Sequence, residues 1–151
     1  MGKVMAVCIS EKKGTQKYNV HEANFITDWG VEKDAHGGKW HRQVSLLSYE
    51  KIEEFRRRGA DVAFGAFGEN IVVSGYDFRT LPVGTHFICN GVELELTQIG
   101  KECHNGCEIY KKMGDCIMPR EGVFCKVIQG GTIHENDEFL ILEGASIAEQ
   151  A

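Results

Sequence analysis

Cys103, His104, Cys107 and Cys116 fall within the fourteen residues CHNGCEIYKKMGDC, and Lys101 stands two positions before the first thiol. A thiolate forms where a cation or a helix N-terminus offsets its charge. A short helix over 103–112 would put Cys103 at its N-terminus beside Lys101 and His104, lowering its pKa below the free value of about 8.5. Cys107 would share that face one turn on. Three thiols and an imidazole also meet the ligand count of a structural zinc site. Cys103 and Cys107 have a usable spacing for it, yet Cys116 with His104 does not form the second knuckle that closes such a site. The plainer reading, thiols that pack a loop, suits Cys107 and Cys116 better than Cys103, whose neighbours on both sides are polar.

Two other stretches carry groups suited to an anion or a hydrogen-bonding ring. DWGVEKDAHGGKWHRQVSLLS presents Asp34, His36, Lys39, His41 and Arg42 in a loop that leads into a strand. Backbone N–H groups freed by Gly37 and Gly38, with Lys39 and Arg42, suit a terminal phosphate. The alternative is a solvated turn with scattered charges. In FGENIVVSG, Glu69 and Asn70 stand directly before an apolar strand, either as turn residues or as a polar pair reading a bicyclic ligand, since an amide donates and accepts together. Arg120 in MPREGVF is placed similarly, and a guanidinium there forks onto phosphate or carboxylate.

These residues need elements to hold them. Eighteen glycines, two prolines and short alternating runs read as mostly antiparallel β structure. Residues 3–9 make a first strand, followed by the polar loop EKKGTQK. A second strand covers 43–47. Ser48 follows as N-cap, then a helix over 49–58 burying Ile52 and Phe55, with Gly59 as its stop. Asn90-Gly91 between Thr85–Cys89 and VELELTQI predicts a hairpin with a type I′ turn. Two more strands, 123–128 and 139–142, are separated by a Gly130-Gly131 turn and the polar HENDE segment. Val31 to Asp34 is too short to assign. Seven or so strands with one or two helices fit a closed or nearly closed antiparallel barrel, which removes exposed edges. Segments 30–42, 64–70 and 100–122 then remain to line a site.

Composition narrows the function classes. A chain of 151 residues is the size of one domain, here assigned to 1–145 with a short tail at 146–151. The net charge of −5 gives no global field for nucleic acid, so any anionic ligand must be held locally. The basic run Arg56–Arg58 closes a helix, where cations complement the dipole. No window approaches the roughly 20 apolar residues of a membrane span, and the chain is expected in the cytoplasm. Six cysteines there should be reduced. Cys8, Cys89 and Cys125 lie inside apolar runs as small core residues.

VEKDAHGG followed by QVSLLS, then FGENIVVSGYDFRTLPVGT, LTQIGKEC, GVFCKVIQGG and HENDEFLIL resemble, in order and spacing, the successive blocks of the MOSC family, related to the C-terminal part of molybdenum cofactor sulfurases. The resemblance implies a β-barrel that handles the molybdopterin cofactor, in molybdenum or tungsten form. Cys103 would ligate the metal or carry sulfur as a persulfide, which soft thiolates do well. It also implies phosphate contacts from Lys39, Arg42 and Arg120, pterin contacts from Glu69 and Asn70, and His36 and Lys101 at the same site. The activity implied is sulfur transfer or another molybdenum cofactor-dependent reaction. A cofactor-biosynthesis protein or a molybdoenzyme is the partner it suggests. The larger members' pyridoxal-phosphate half has no counterpart here. The cysteine loop is richer in thiols than in most members, so a non-catalytic module that holds zinc or senses oxidants stays as the alternative.

Overall fold

The alternation in VELELTQI works as a two-faced strand should: Val92, Leu94 and Leu96 are fully buried while Glu93 and Glu95 lie half-exposed on the other face. This strand, Val92–Ile99, pairs antiparallel with His86–Cys89. Between them Asn90 and Gly91 take φ of +49° and +82°, the positive pair that a type I′ turn requires. The computed structural model describes residues 2–12, 16–35, 37–100 and 121–142. The expected helix over 103–112, the residues His36, Lys101, Cys103, His104, Cys107, Cys116 and Arg120, and the domain boundary at 145 lie outside them.

In chain order the elements are β1 (Gly2–Ile9), β2 (Tyr18–Asn19), β3 (Glu22–Ile26), β4 (Gly30–Val31), β5 (Val44–Ser48), α1 (Tyr49–Arg57), β6 (Ile71–Ser74), a 3-10 turn (Phe78–Thr80), β7 (His86–Cys89), β8 (Val92–Ile99), β9 (Val123–Gln129), β10 (Gly131–His134) and β11 (Glu138–Leu142). Seven strands run β11-β7-β8-β9-β5-β6-β1, and β1 returns to β11 through Gly2↔Phe139 and Lys3↔Glu138, so the barrel closes. β2 extends β1 on its far end. The β5–β6 pair is parallel, and α1 with residues 58–70 forms the crossover that a parallel pair needs.

A second sheet, β10-β3-β4, lies outside this ring. No strand is expected from the sequence at β3 or β10, and Gly130-Gly131 is expected as a turn, whereas Gly131 already pairs with Phe25. Both strands are short, and β3 (EANFI) fully buries only Phe25, so neither shows the repeated alternation that marks β8.

Two apolar layers result. The barrel interior holds Val44, Leu46, Ile71, Val73, Leu94, Val123 and the ring cluster of Phe78, Phe87 and Phe139. The outer layer packs Ile52 and Phe55 of α1 with Phe67 onto Cys8, Leu47, Val72 and Phe124. β5 is buried along its whole length because both of its faces are covered, which is why VSLLS shows no period-two alternation of apolar and charged residues.

α1 ends at Arg57, one residue short of the expected boundary, and Gly59 follows at φ +102°. The Ser48 side chain donates to Glu50 Oε1 at 3.2 Å instead of accepting from a helix N–H. The basic run also braces the crossover. Arg56 donates from Nε and Nη2 to the Val62 carbonyl, at 3.1 and 2.9 Å, and lies over the Phe64 ring.

Candidate functional site

Asn70 occupies the last position before β6, where the chain emerges from the crossover. Its amide is used at both ends. Oδ1 accepts the Ser45 N–H at 3.0 Å and lies 3.2 Å from Ser45 Oγ, while Nδ2 donates to the Cys8 carbonyl at 2.9 Å. One side chain therefore ties β1 and β5 to the start of β6. Ser45 Oγ also donates to the Gly68 carbonyl at 3.0 Å, which fixes the 64–70 turn against β5.

Glu69 has no exposed surface, and its two oxygens accept the Gly65 N–H at 2.8 Å and the Phe67 N–H at 3.1 Å. The turn folds around its own carboxylate. Burial pushes this carboxyl up to about 7, against the opposing pull of those N–H donors and of Lys17.

The second loop reaches the same outer face from the other side. Ser45 pairs with Phe124 across β5 and β9, and the Arg42 guanidinium carbon lies 5.5 Å from the Phe124 ring centroid and 4.7 Å from that of Trp40. Arg42 Nε is buried and has no hydrogen-bond partner among the described residues. A buried donor of this kind costs free energy until an acceptor reaches it. Lys39 is exposed in the same loop. Gly37 is required there by close approach, since a Cβ would sit 2.2 Å from the Trp29 ring.

The loop is pinned to the end of β8. His41 Nε2 lies 2.6 Å from Gln98 Oε1, and the Thr97 hydroxyl reaches both the His41 and Phe124 carbonyls. Gln98 Nε2 donates to the Gly100 carbonyl at 2.7 Å, and the Gly100 N–H donates to the Gly122 carbonyl at 2.7 Å. The Lys39–Arg42 loop is thus braced beside the two ends, Gly100 and Glu121, that lead into the cysteine-bearing segment.

Among the expected residues that are described, Lys39, Arg42, Glu69 and Asn70 all belong to segments meeting the outer face of β5 and β9. His36, Lys101, Cys103 and Arg120 lie outside the described residues. A cleft of about 360 Å³ opens elsewhere, between β1, β2, β3 and residues 32–33, and none of the expected residues line it. Its walls carry Glu11, Glu22 and Glu32 against one lysine, Lys33, and so disfavour an anion.

Two residues, Lys17 and Ser45, take structural roles around the site that are not expected from the sequence. Lys17 is buried and its Nζ lies 2.8 Å from Asp34 Oδ1, with side chains 1% and 0% exposed. Nothing in the polar run EKKGTQK distinguishes this lysine from its neighbours. Ser45 had a signal, a hydroxyl inside an otherwise apolar buried run, where a polar group needs a partner.

A family model described as the MOSC domain matches residues 32–139. The chain belongs to the MOSC domain family. Solved structures agree on the fold. The YuaD protein from Bacillus subtilis superposes with a TM-score of 0.77 at 20% identity, covering 93% of this chain and 96% of that one. YiiM from Geobacillus stearothermophilus gives 0.72 at 18% identity, covering 98% and 78%, and YiiM from Escherichia coli gives 0.63 at 16%, covering 93% and 70%. No curated protein sequence matches the chain.

One described residue fits the anionic side of the cofactor associated with that family: the Arg42 Nε, buried without an acceptor among the described residues and near the Trp40 and Phe124 rings, is the kind of donor that a phosphate completes. No group of three His, Cys, Asp or Glu that would hold a metal ion occurs among the described residues. No described helix is long and apolar enough to cross a membrane.

Proposed function

We propose that this MOSC domain binds a molybdopterin-type cofactor and acts in its sulfuration or carriage through Cys103. The observation that carries the reading is the orphaned Arg42 Nε on a loop inside the family match. In it Arg42, with Lys39 and Arg120, holds the terminal phosphate, and His36 and Lys101 flank the same anionic group. Arg42 is best suited because its planar fork is preset by the stacked rings, so little rotamer freedom is lost on binding.

Glu69 and Asn70 shape the wall that meets the pterin. Their own polar atoms are engaged inside the protein, so they act through the 64–70 turn and its backbone. The cofactor, when bound, supplies a thiophilic metal that accepts a thiolate or exchanges sulfur with it. Cys103 supplies that thiolate.

The test is protein purified without oxygen from cells with and without active cofactor biosynthesis. Molybdenum or tungsten together with a fluorescent oxidised pterin, both lost in the second preparation, is the expected result. Stoichiometric zinc with no pterin in either would overturn the reading in favour of a cysteine-loop zinc module.

A further inference from the structure

We propose that Lys17 is a positioning residue that locks together the two loops bounding the candidate site. The inference deepens the function proposed above and relies on it only for what the loops hold.

Lys17 stands between β1 and β2 and grips one loop with its side chain and the other with its backbone. Its ammonium lies 2.8 Å from Asp34 Oδ1 in the 30–42 loop. Its N–H donates to the Gly65 carbonyl at 2.9 Å in the 64–70 turn, and its own carbonyl lies 2.3 Å from where a Cβ on Gly65 would be. With φ of +95°, Gly65 is excluded from carrying a side chain on both conformational and contact grounds.

Each grip continues toward the site. Asp34 Oδ1 also accepts the Ser10 N–H at 3.0 Å, Ala35 donates to the Ser10 carbonyl at 2.7 Å, and Gly37 donates to the Asp34 carbonyl at 3.2 Å, two residues from Lys39. On the other side the Gly65 N–H ends on the Glu69 carboxylate, next to Asn70. A path of direct contacts therefore runs from the Lys39–Arg42 loop through Asp34, Lys17 and Gly65 to Glu69.

A buried ion pair adds little net stability over apolar side chains of the same size, because desolvation of two charges offsets their attraction. What it adds is a fixed distance. Neither a shifted Asp34 loop nor a shifted 64–70 turn keeps both Lys17 contacts, so Lys17 couples the position of one loop to that of the other.

Residue-resolved hydrogen exchange on the full chain tests the coupling across the loops. Gly65→Ala perturbs the turn, and the readout is the Gly38 and Trp40 amides, bonded to the Trp29 and Gly38 carbonyls in the other loop. Asp34→Asn perturbs that loop, and the readout is the Gly65 and Phe67 amides. Each variant is expected to raise exchange about tenfold or more in the distant loop as well as its own, with the β7–β8 hairpin unchanged. Loosening confined to the mutated loop overturns the proposal. If either change also loosens the hairpin, Lys17→Arg decides, since it keeps the charge and alters the reach: both loops respond together if Lys17 spans them, and a response in one alone overturns the proposal. Pterin content is not part of this readout, so failure of cofactor binding leaves the coupling result standing.

Discussion

Arg42 and Lys39 share a loop but are built differently, and their substitution should show it. Lys39 is exposed, so Lys39→Ala should cost under about 0.5 kcal/mol of stability while lowering pterin content, most visibly at low salt. Arg42→Lys keeps the charge but loses both the fork and the stacking over Trp40 and Phe124. Its pterin content should fall about tenfold, nearly as far as in Arg42→Ala, because a charge-assisted hydrogen bond contributes roughly 1.5–3 kcal/mol. Equal pterin in wild type and Arg42→Lys would remove Arg42 from the phosphate site. The thiols sort by burial. Burial raises Cys89 to about 12 and lifts Cys8 and Cys125 further, so none of the three forms thiolate near neutrality. Limited alkylation with peptide mapping should label Cys103 first and these three only on unfolding; labelling of Cys8 or Cys125 before Cys103 would sink the assignment of Cys103 as the working thiol.

Glu69 makes stability depend on pH in a direction opposite to most carboxyls. It ionises near 4.5 when unfolded and near 7 when folded, so between those values the folded state holds a proton that the unfolded chain has shed. Its contribution is fully present below about 4.5, declines as pH rises to about 7, and is constant above, for a loss of about 3 kcal/mol. Urea denaturation of wild type and Glu69→Gln at several pH values isolates this group. The variant should gain on wild type as pH rises from about 5 to about 8, and parallel curves would show that Glu69 titrates normally.

At the scale of elements, the β7–β8 hairpin depends on its turn. Gly91→Ala forces a Cβ onto a φ of +82° and should cost about 1–2 kcal/mol in thermal denaturation, with the cofactor site unaffected. The same turn shows which parts of the fold are legible in the sequence. Asn90-Gly91, the period-two run after it, and the Ile52 and Phe55 stripe of α1 are local signals, and β8 and α1 match them within a residue. β2, β3, β4 and β10 escape because two- to five-residue strands with mixed faces carry no period. The site splits along similar lines. Glu69 and Asn70 stand out as polar residues at a strand mouth, yet their hydrogen bonds run into the protein, to Gly65, Phe67, Ser45 and Cys8. The Lys17–Asp34 pair joins residues seventeen positions apart through tertiary packing alone, and no spacing rule finds it.

At the scale of the whole molecule, closure rests on β1 meeting β11, and the residue at that seam is Phe139. It is fully buried, 5.1 Å from the Phe87 ring centroid and 6.1 Å from that of Phe78, and the Tyr76 hydroxyl donates to its carbonyl at 3.0 Å. Phe139→Ala should cost about 3–5 kcal/mol, large enough for denaturant melts to show lost cooperativity across the barrel. A loss below about 1 kcal/mol would mean that the seam is not what holds the ring together.

That seam also dictates a timetable. β1 leaves the ribosome well before β11, so the barrel cannot shut until β11 has emerged. Until then one edge of β1 offers unpaired N–H and C=O groups next to the apolar side chains of Val4 and Val7. Pairing over so long a sequence separation is slow, in the range of milliseconds to seconds, whereas the β7–β8 hairpin can form within microseconds of its synthesis. The nascent protein therefore passes through an open sheet in which only β11 is missing from the ring, and in crowded overexpression a second copy's β11 can take the place of its own.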